Sequence, residues 1–254
     1  MTPETVRLLR AGPKSPGLLA VDSGLGMAEA SFPDLSEMID ADCAIWETVP
    51  SRYEPDDWLA ELDDEPLVVL GYCSSASLAC AVAARLSEHR RVVLFDPVKV
   101  DAAELWFMAG RFLAPFAEDL PRDELDRIRA LVRGAVRALE SDLAALADAL
   151  KELYIPAVLS ACAAARLPDE VAAEFTARFA EQLRFMLTAA EAPLTISPPH
   201  PTVVLSRDGA VPGFPADRTI RLTVPRAELL SSPAAAAIVT SVVSSCVRTR
   251  KARR

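Results

Sequence analysis

The stretch Leu67–Leu86, LVVLGYCSSASLACAVAARL, sets a cysteine between a short apolar run and a run of helix formers. A strand that turns sharply into a helix holds up the side chain at the bend, and small residues must flank it because strand and helix nearly touch there. Gly71 stands two places before Cys73, and Ser75 and Ala76 follow it. A thiol at that bend can act as a nucleophile, because a helix N-terminus favours a thiolate and, later, an oxyanion. Cys73 is therefore the candidate nucleophile. The competing reading is a small apolar residue filling a tight corner, which is common for free cysteine.

Asp96 closes the run RVVLFD, ahead of Pro97. A carboxylate there can assist catalysis or cap a turn. A thiol nucleophile is commonly served by a nearby histidine base, and the chain has only two histidines, His89 and His200. His89 ends the helix pattern after Cys73, and His200 lies between prolines before another strand pattern. Sites in parallel sheets form at the carboxyl ends of strands. Both histidines precede strands, and a five-residue strand spans roughly 17 Å. His200 is kept as a doubtful base candidate for that reason. Arg226 reads as a surface arginine rather than as a contact for a carrier or an oxyanion.

These side chains need a sheet to hold them. GLLAVD (Gly17–Asp22) and CAIWE (Cys43–Glu47) read as short strands, and LVVLG (Leu67–Gly71) and RVVLFD (Arg91–Asp96) as stronger ones. Continuous apolar strands of this kind are buried on both faces, as in parallel sheets. A helix pattern covers Ser74–Glu88, and the alternation indicates an α/β fold with right-handed crossovers. After Asp96 the strands stop. Leucines and valines at three- and four-residue steps predict one long helix, Asp123–Tyr154, which Pro156 ends or kinks. Pro168 opens another helix, with Val171, Phe175, Phe179, Leu183 and Met186 as its apolar stripe. Strands return at Thr202–Ser206 and Thr219–Val224, and a last helix runs from about Pro233 to Val247. A helical insertion, 98–192, thus splits an α/β core. The proline- and glycine-rich SPPHP and GAVPGFP segments are loops.

Composition excludes several classes. The 254 residues are 51% hydrophobic and 25% charged, which is globular rather than disordered. A net charge of −9 argues against a general nucleic-acid binder, and RTRKARR (Arg248–Arg254) reads as a solvated end. Five scattered cysteines with no CxxC pair suggest neither a disulfide framework nor a zinc site, so no metal is expected. No basic-then-apolar leader pattern and no apolar run of roughly 18 residues are present, which predicts a reducing, cytoplasmic location and no membrane partner.

The chain resembles the thioesterase domains of nonribosomal peptide and polyketide synthetases, within the α/β-hydrolase fold. VRLLRAGPKSPGLLAVDSGLGMAEASFPDLSEMI resembles that family's opening, GYCSSASLACAVAARL its nucleophile turn and following helix, and RRVVLFDP the strand ending on its catalytic aspartate. The resemblance implies one α/β-hydrolase-like domain over residues 1–254, a mostly parallel sheet with 98–192 as a helical lid. It implies Cys73 as nucleophile where most members have serine, and Asp96 as the acid. It implies the Ser74 backbone N–H as one oxyanion donor, with Asp22 or Ser23 supplying the other. The family's histidine follows the last core strand. Here that segment is TIRLTVPRAELLSSP, which has none, and Arg226 or Glu228 stands near its place.

A thiol ionises more readily than a hydroxyl and depends less on a base. An acyl-Cys also keeps the energy of the incoming thioester for an acceptor other than water. The resemblance then implies an acyl or peptidyl substrate delivered on the phosphopantetheine of a carrier protein, no other cofactor, and release by cyclisation. Dieckmann closure to a tetramic acid or pyridone is the leading subtype. An editing thioesterase, a carrier-to-carrier acyl shuttle and a non-catalytic thioesterase-like protein are the alternatives. A chamber walled by Trp106, Phe107, Phe112 and Phe116 would keep water from the acyl group.

Overall fold

The computed structural model describes residues 5–12, 17–22, 31–49, 54–62, 64–86, 90–194, 199–211 and 213–251. Its contacts divide the chain into two compact units, Met1–Lys99 with Glu191–Arg254, and Val100–Ala190.

The first unit is built on a seven-stranded sheet. The strands are β1 (Val6–Arg10), β2 (Leu18–Val21), β3 (Ile45–Thr48), β4 (Val68–Tyr72), β5 (Arg91–Phe95), β6 (Thr202–Leu205) and β7 (Arg218–Arg221). Their order is β1-β3-β2-β4-β5-β6-β7. β1 runs antiparallel to β3, and every other pairing is parallel. The strongest apolar runs, β4 and β5, sit side by side at the centre. Alternate residues of these strands point to opposite faces. Leu18, Ala20, Val68, Leu70, Val93 and Phe95 face one core with Phe32 and Leu35 of α1 (Phe32–Met38). Val239 and Val243 of the last described helix join that core. Gly71 and Leu94 turn the other way, against the helix that follows β4 (Ala76–Arg85). β7 ends at Arg221 rather than Val224 because it is an exposed edge strand, but the Arg207 N–H still donates to the Val224 carbonyl at 2.8 Å.

The second unit contains four α-helices: Ala102–Leu113, Arg122–Ala138, Leu143–Ala164 and Asp169–Glu191, the last running one residue past the unit. The single helix expected over Asp123–Tyr154 is two. The chain turns at Leu139, and Asp142 starts the next helix by accepting the Ala145 N–H at 2.9 Å. Capping by aspartate outweighs leucine spacing that runs on across the break. Pro156 does not end its helix, which continues to Ala164. Pro156 and Glu152 are both exposed, so water can satisfy the carbonyl that proline leaves unbonded. Phe112 packs on Phe179 at 5.1 Å between ring centroids and Phe116 on Phe175 at 5.0 Å. Both are core residues of the helical unit rather than free chamber walls, whereas Trp106 and Phe107 are exposed. Among the described residues no helix is long and apolar enough to cross a membrane.

Candidate active site

Tyr72 and Phe95 are partners across β4 and β5, so Cys73 and Asp96 occupy the next position on neighbouring strands. Both leave the strands with left-handed backbone, φ 54° at Cys73 and φ 40° at Asp96. A side-chain-bearing residue there costs about 1–3 kcal/mol, and such strain persists only where surrounding structure enforces it. At Cys73 the enforcement is visible. Its carbonyl accepts the Val98 N–H at 3.1 Å. A Cβ on Gly71 would lie 2.7 Å from the Ala79 Cβ, which is the close approach of strand and helix expected of the bend. Ser75 occupies the place of the second small residue. Its buried hydroxyl accepts the Tyr72 N–H at 2.8 Å and donates to the Tyr72 carbonyl at 2.9 Å, closing the turn with a side chain.

The thiols separate clearly. Cys43, Cys80, Cys162 and Cys246 are buried, and burial raises each above its ordinary value, Cys80 to about 12. Cys73 alone among the five is partly open. Ser74 follows in the first turn, where a backbone N–H has no intrahelical acceptor and remains available to an oxyanion. The Asp22 N–H does not: it donates to Thr48 Oγ1 at 3.0 Å, and that hydroxyl returns a bond to the Asp22 carbonyl at 2.9 Å. Asp22 is therefore removed from the oxyanion donors, while Ser23 lies outside the described residues.

Asp96 is buried and fully engaged. It accepts the Ser206 N–H at 2.8 Å, the Ser206 hydroxyl at 2.5 Å and the Arg226 Nε–H at 3.2 Å. A Cβ on Gly209 would sit 2.1 Å from Asp96 Oδ1, so only glycine leaves room for the carboxylate. Arg221 fixes this turn, one Nη donating to the carbonyls of Ser206, Arg207 and Gly209 at 2.8–3.0 Å. Ser206, Gly209 and Arg221 were not singled out in the sequence. The available signal was Ser206, the last residue of TVVLS, at the carboxyl end of the strand beside Asp96.

Arg226 corrects the sequence reading. It opens a short 3-10 turn, Arg226–Glu228, after β7, and its side chain is 34% exposed and aimed at Asp96. Burial works to lower its pKa, but the charges of Cys73 and Asp96, the bond to Asp96 and the charge of Tyr72 together raise it. Glu228, the other residue near the histidine's expected place, is exposed. His200 is not brought to the site. Thr202 pairs with Val93, the middle residue of β5, and His200 lies two residues earlier, toward the amino end of that strand and away from Asp96. His89 lies outside the described residues. Among the described residues, Arg226 thus donates to Asp96 and interacts by charge with Cys73.

No protein-family model and no curated protein matches the chain. Solved structures do. A holo four-domain nonribosomal peptide synthetase bound to AMP and glycine aligns with 96% of this chain at a TM-score of 0.53 and 14% identity. This chain spans only 20% of that synthetase. The mostly parallel seven-stranded sheet with its flanking helices is consistent with an α/β-hydrolase fold. Further likenesses to solved structures are weaker. The Vlm2 thioesterase domain, carrying genetically encoded 2,3-diaminopropionic acid and a dodecadepsipeptide, gives 0.48 at 12% identity over 95% of this chain and 97% of that one. A proline iminopeptidase from Mycobacterium smegmatis gives 0.45 at 14% over 96% and 95%.

Proposed function

We propose that this α/β-hydrolase-fold chain is a thioesterase-like acyl-transfer enzyme. It takes an acyl or peptidyl chain from a carrier-protein thioester onto Cys73 and releases it by cyclisation, Dieckmann closure being the leading case. The observation that carries the reading is Arg226 on Asp96. A guanidinium favours a thiolate but cannot accept a proton. Cys73 is thus helped to attack, while no base among the described residues in that place activates water against the resulting thioester. Such an enzyme suits a nucleophile already present in the acyl chain. The likeness to part of a nonribosomal peptide synthetase fits a substrate that arrives on a carrier. The reaction would take place in the cytoplasm, on a chain tethered to phosphopantetheine.

Intact-protein mass spectrometry with two thioesters tests this. A simple acyl thioester should load wild-type chain and His200→Ala alike, leave Cys73→Ala unmodified, and turn over slowly. A β-ketoacyl-aminoacyl thioester should leave as a ring. Rapid hydrolysis of both would instead mark an editing thioesterase, transfer to a second carrier a shuttle, and no consumption a non-catalytic relative.

A further inference from the structure

Acylation changes the charge around Arg226. Before it, one guanidinium bonds the Asp96 carboxylate and interacts by charge with Cys73; afterwards the sulfur is a neutral thioester. Guanidinium has five N–H donors, and the Nε–H is taken by Asp96. Neither Nη of Arg226 has a hydrogen-bond partner among the described residues, and a third of the side chain is open. The fork is also aimed. Its Nε end is tied to a carboxylate that Ser206 holds through two bonds and that Gly209 lets approach. Asp96 and Cys73 follow paired residues at the carboxyl ends of β5 and β4, and the guanidinium held on Asp96 interacts by charge with Cys73.

We infer that this open edge of Arg226 binds a planar two-oxygen monoanion carried by the acyl chain itself, and so selects the substrate. The inference rests on the acyl-Cys73 reading. A carboxylate and the enolate of a 1,3-dicarbonyl both present two oxygens in one plane, which a guanidinium meets with parallel N–H donors. Either restores the net charge that the site carries with Cys73 ionised. A carboxylate would be held and no more. An enolate would be held and would react. Its carbon attacks the Cys73 thioester, a C–C bond forms, the C–S bond breaks, and the electron pair returns to sulfur as thiolate beside Arg226. The proton that left the carbon passes through water to the pantetheine thiolate released on loading. The balance is one thioester converted to one ring and one thiol, with no oxidant and no water consumed.

Three N-acetylcysteamine thioesters of equal length separate the cases: a neutral acyl chain, a carboxyacyl chain and a β-ketoacyl-aminoacyl chain. Each is given to wild type, Arg226→Lys and Arg226→Gln, with Cys73 loading read by mass and ring formation by chromatography. A bidentate, charge-assisted pair is worth about 10-fold or more. Wild type should therefore prefer an anionic chain over the neutral one by at least about 10-fold in kcat/KM. Arg226→Gln should lose the preference, and Arg226→Lys should keep a small part of it. A variant that is merely misfolded slows all three alike and leaves the ratio intact, which would overturn the inference. Preference for the carboxyacyl chain assigns the fork to a carboxylate; Arg226-dependent ring formation assigns it to an enolate. Equal kcat/KM on wild type with normal loading overturns the selection and leaves acyl-Cys73 standing. No loading at all overturns both.

Discussion

Arg226→Met removes the guanidinium and keeps an unbranched stem. Arg226 interacts by charge with Cys73 and is 34% exposed, so water screens the pair. A charge pair that open is worth at most about 1 kcal/mol, which is about fivefold in a rate. Losing it disfavours the Cys73 thiolate, although a more basic thiolate is the better nucleophile, so the slowing at neutral pH should be no more than about fivefold. Iodoacetamide alkylation followed by intact mass reads this directly, because the other four cysteines are buried. The variant's rate profile should be displaced to higher pH and should cross that of wild type, so that in alkaline solution the variant reacts faster. Coincident profiles on a folded variant would refute the pairing of Arg226 with Cys73. The buried Asp96 also loses one of its three donor bonds. After discounting for exposure this costs about 1 kcal/mol, or about 2–4 °C in Tm.

Gly209→Ala should push Asp96 out of its cradle, since the new Cβ would lie 2.1 Å from Oδ1. Loading of Cys73 from a thioester should slow by at least about tenfold, matching lost charged hydrogen bonds of about 1.5–3 kcal/mol; an unchanged rate would show that the placement of Asp96 is immaterial. Glu47 is 1% exposed, and burial, reinforced by the charge of Asp22 and opposed by Arg7, lifts its pKa from 4.5 to about 6. The folded state then binds more protons than the unfolded one between those values. Stability from this group is therefore fully present below pH 4.5 and lost as pH rises through 6, by about 2 kcal/mol. Glu47→Gln escapes that loss, so its Tm relative to wild type should climb by about 4–8 °C across the window and then level off. A constant difference would contradict the assignment.

The central sheet was legible because β4 and β5 are covered on both faces, which leaves an unbroken apolar run in the sequence. The bend at Cys73 was legible because strand and helix touch at Gly71, and a glycine there has a steric reason that can be read directly. The rest depended on distant partners. Arg226 meets an acid 130 positions away, and nothing local distinguishes it from a solvated arginine. The Asp22 amide is taken by a threonine 26 residues on, so its loss as an oxyanion donor could not be seen in the loop alone. Phe112 and Phe116 looked able to line a chamber because periodicity shows which side chains share a face and not what covers that face. The break at Leu139–Asp142 is different, since an aspartate cap is a local signal and leucine spacing that runs on across it hides the boundary.

The order in which the site's parts leave the ribosome follows from the same 130-residue separation. At about 5–20 residues per second, Asp96 waits roughly 6–26 s for Arg226 to be synthesised. For most of that time β6 has yet to arrive, and β5 is the bare edge of a half-built sheet whose apolar strand invites pairing with other chains. Cys73 meanwhile stands in the nascent chain without its cation. Yield in a heterologous host should therefore depend on translation speed and on chaperones that cover strand edges, even where the finished protein is stable.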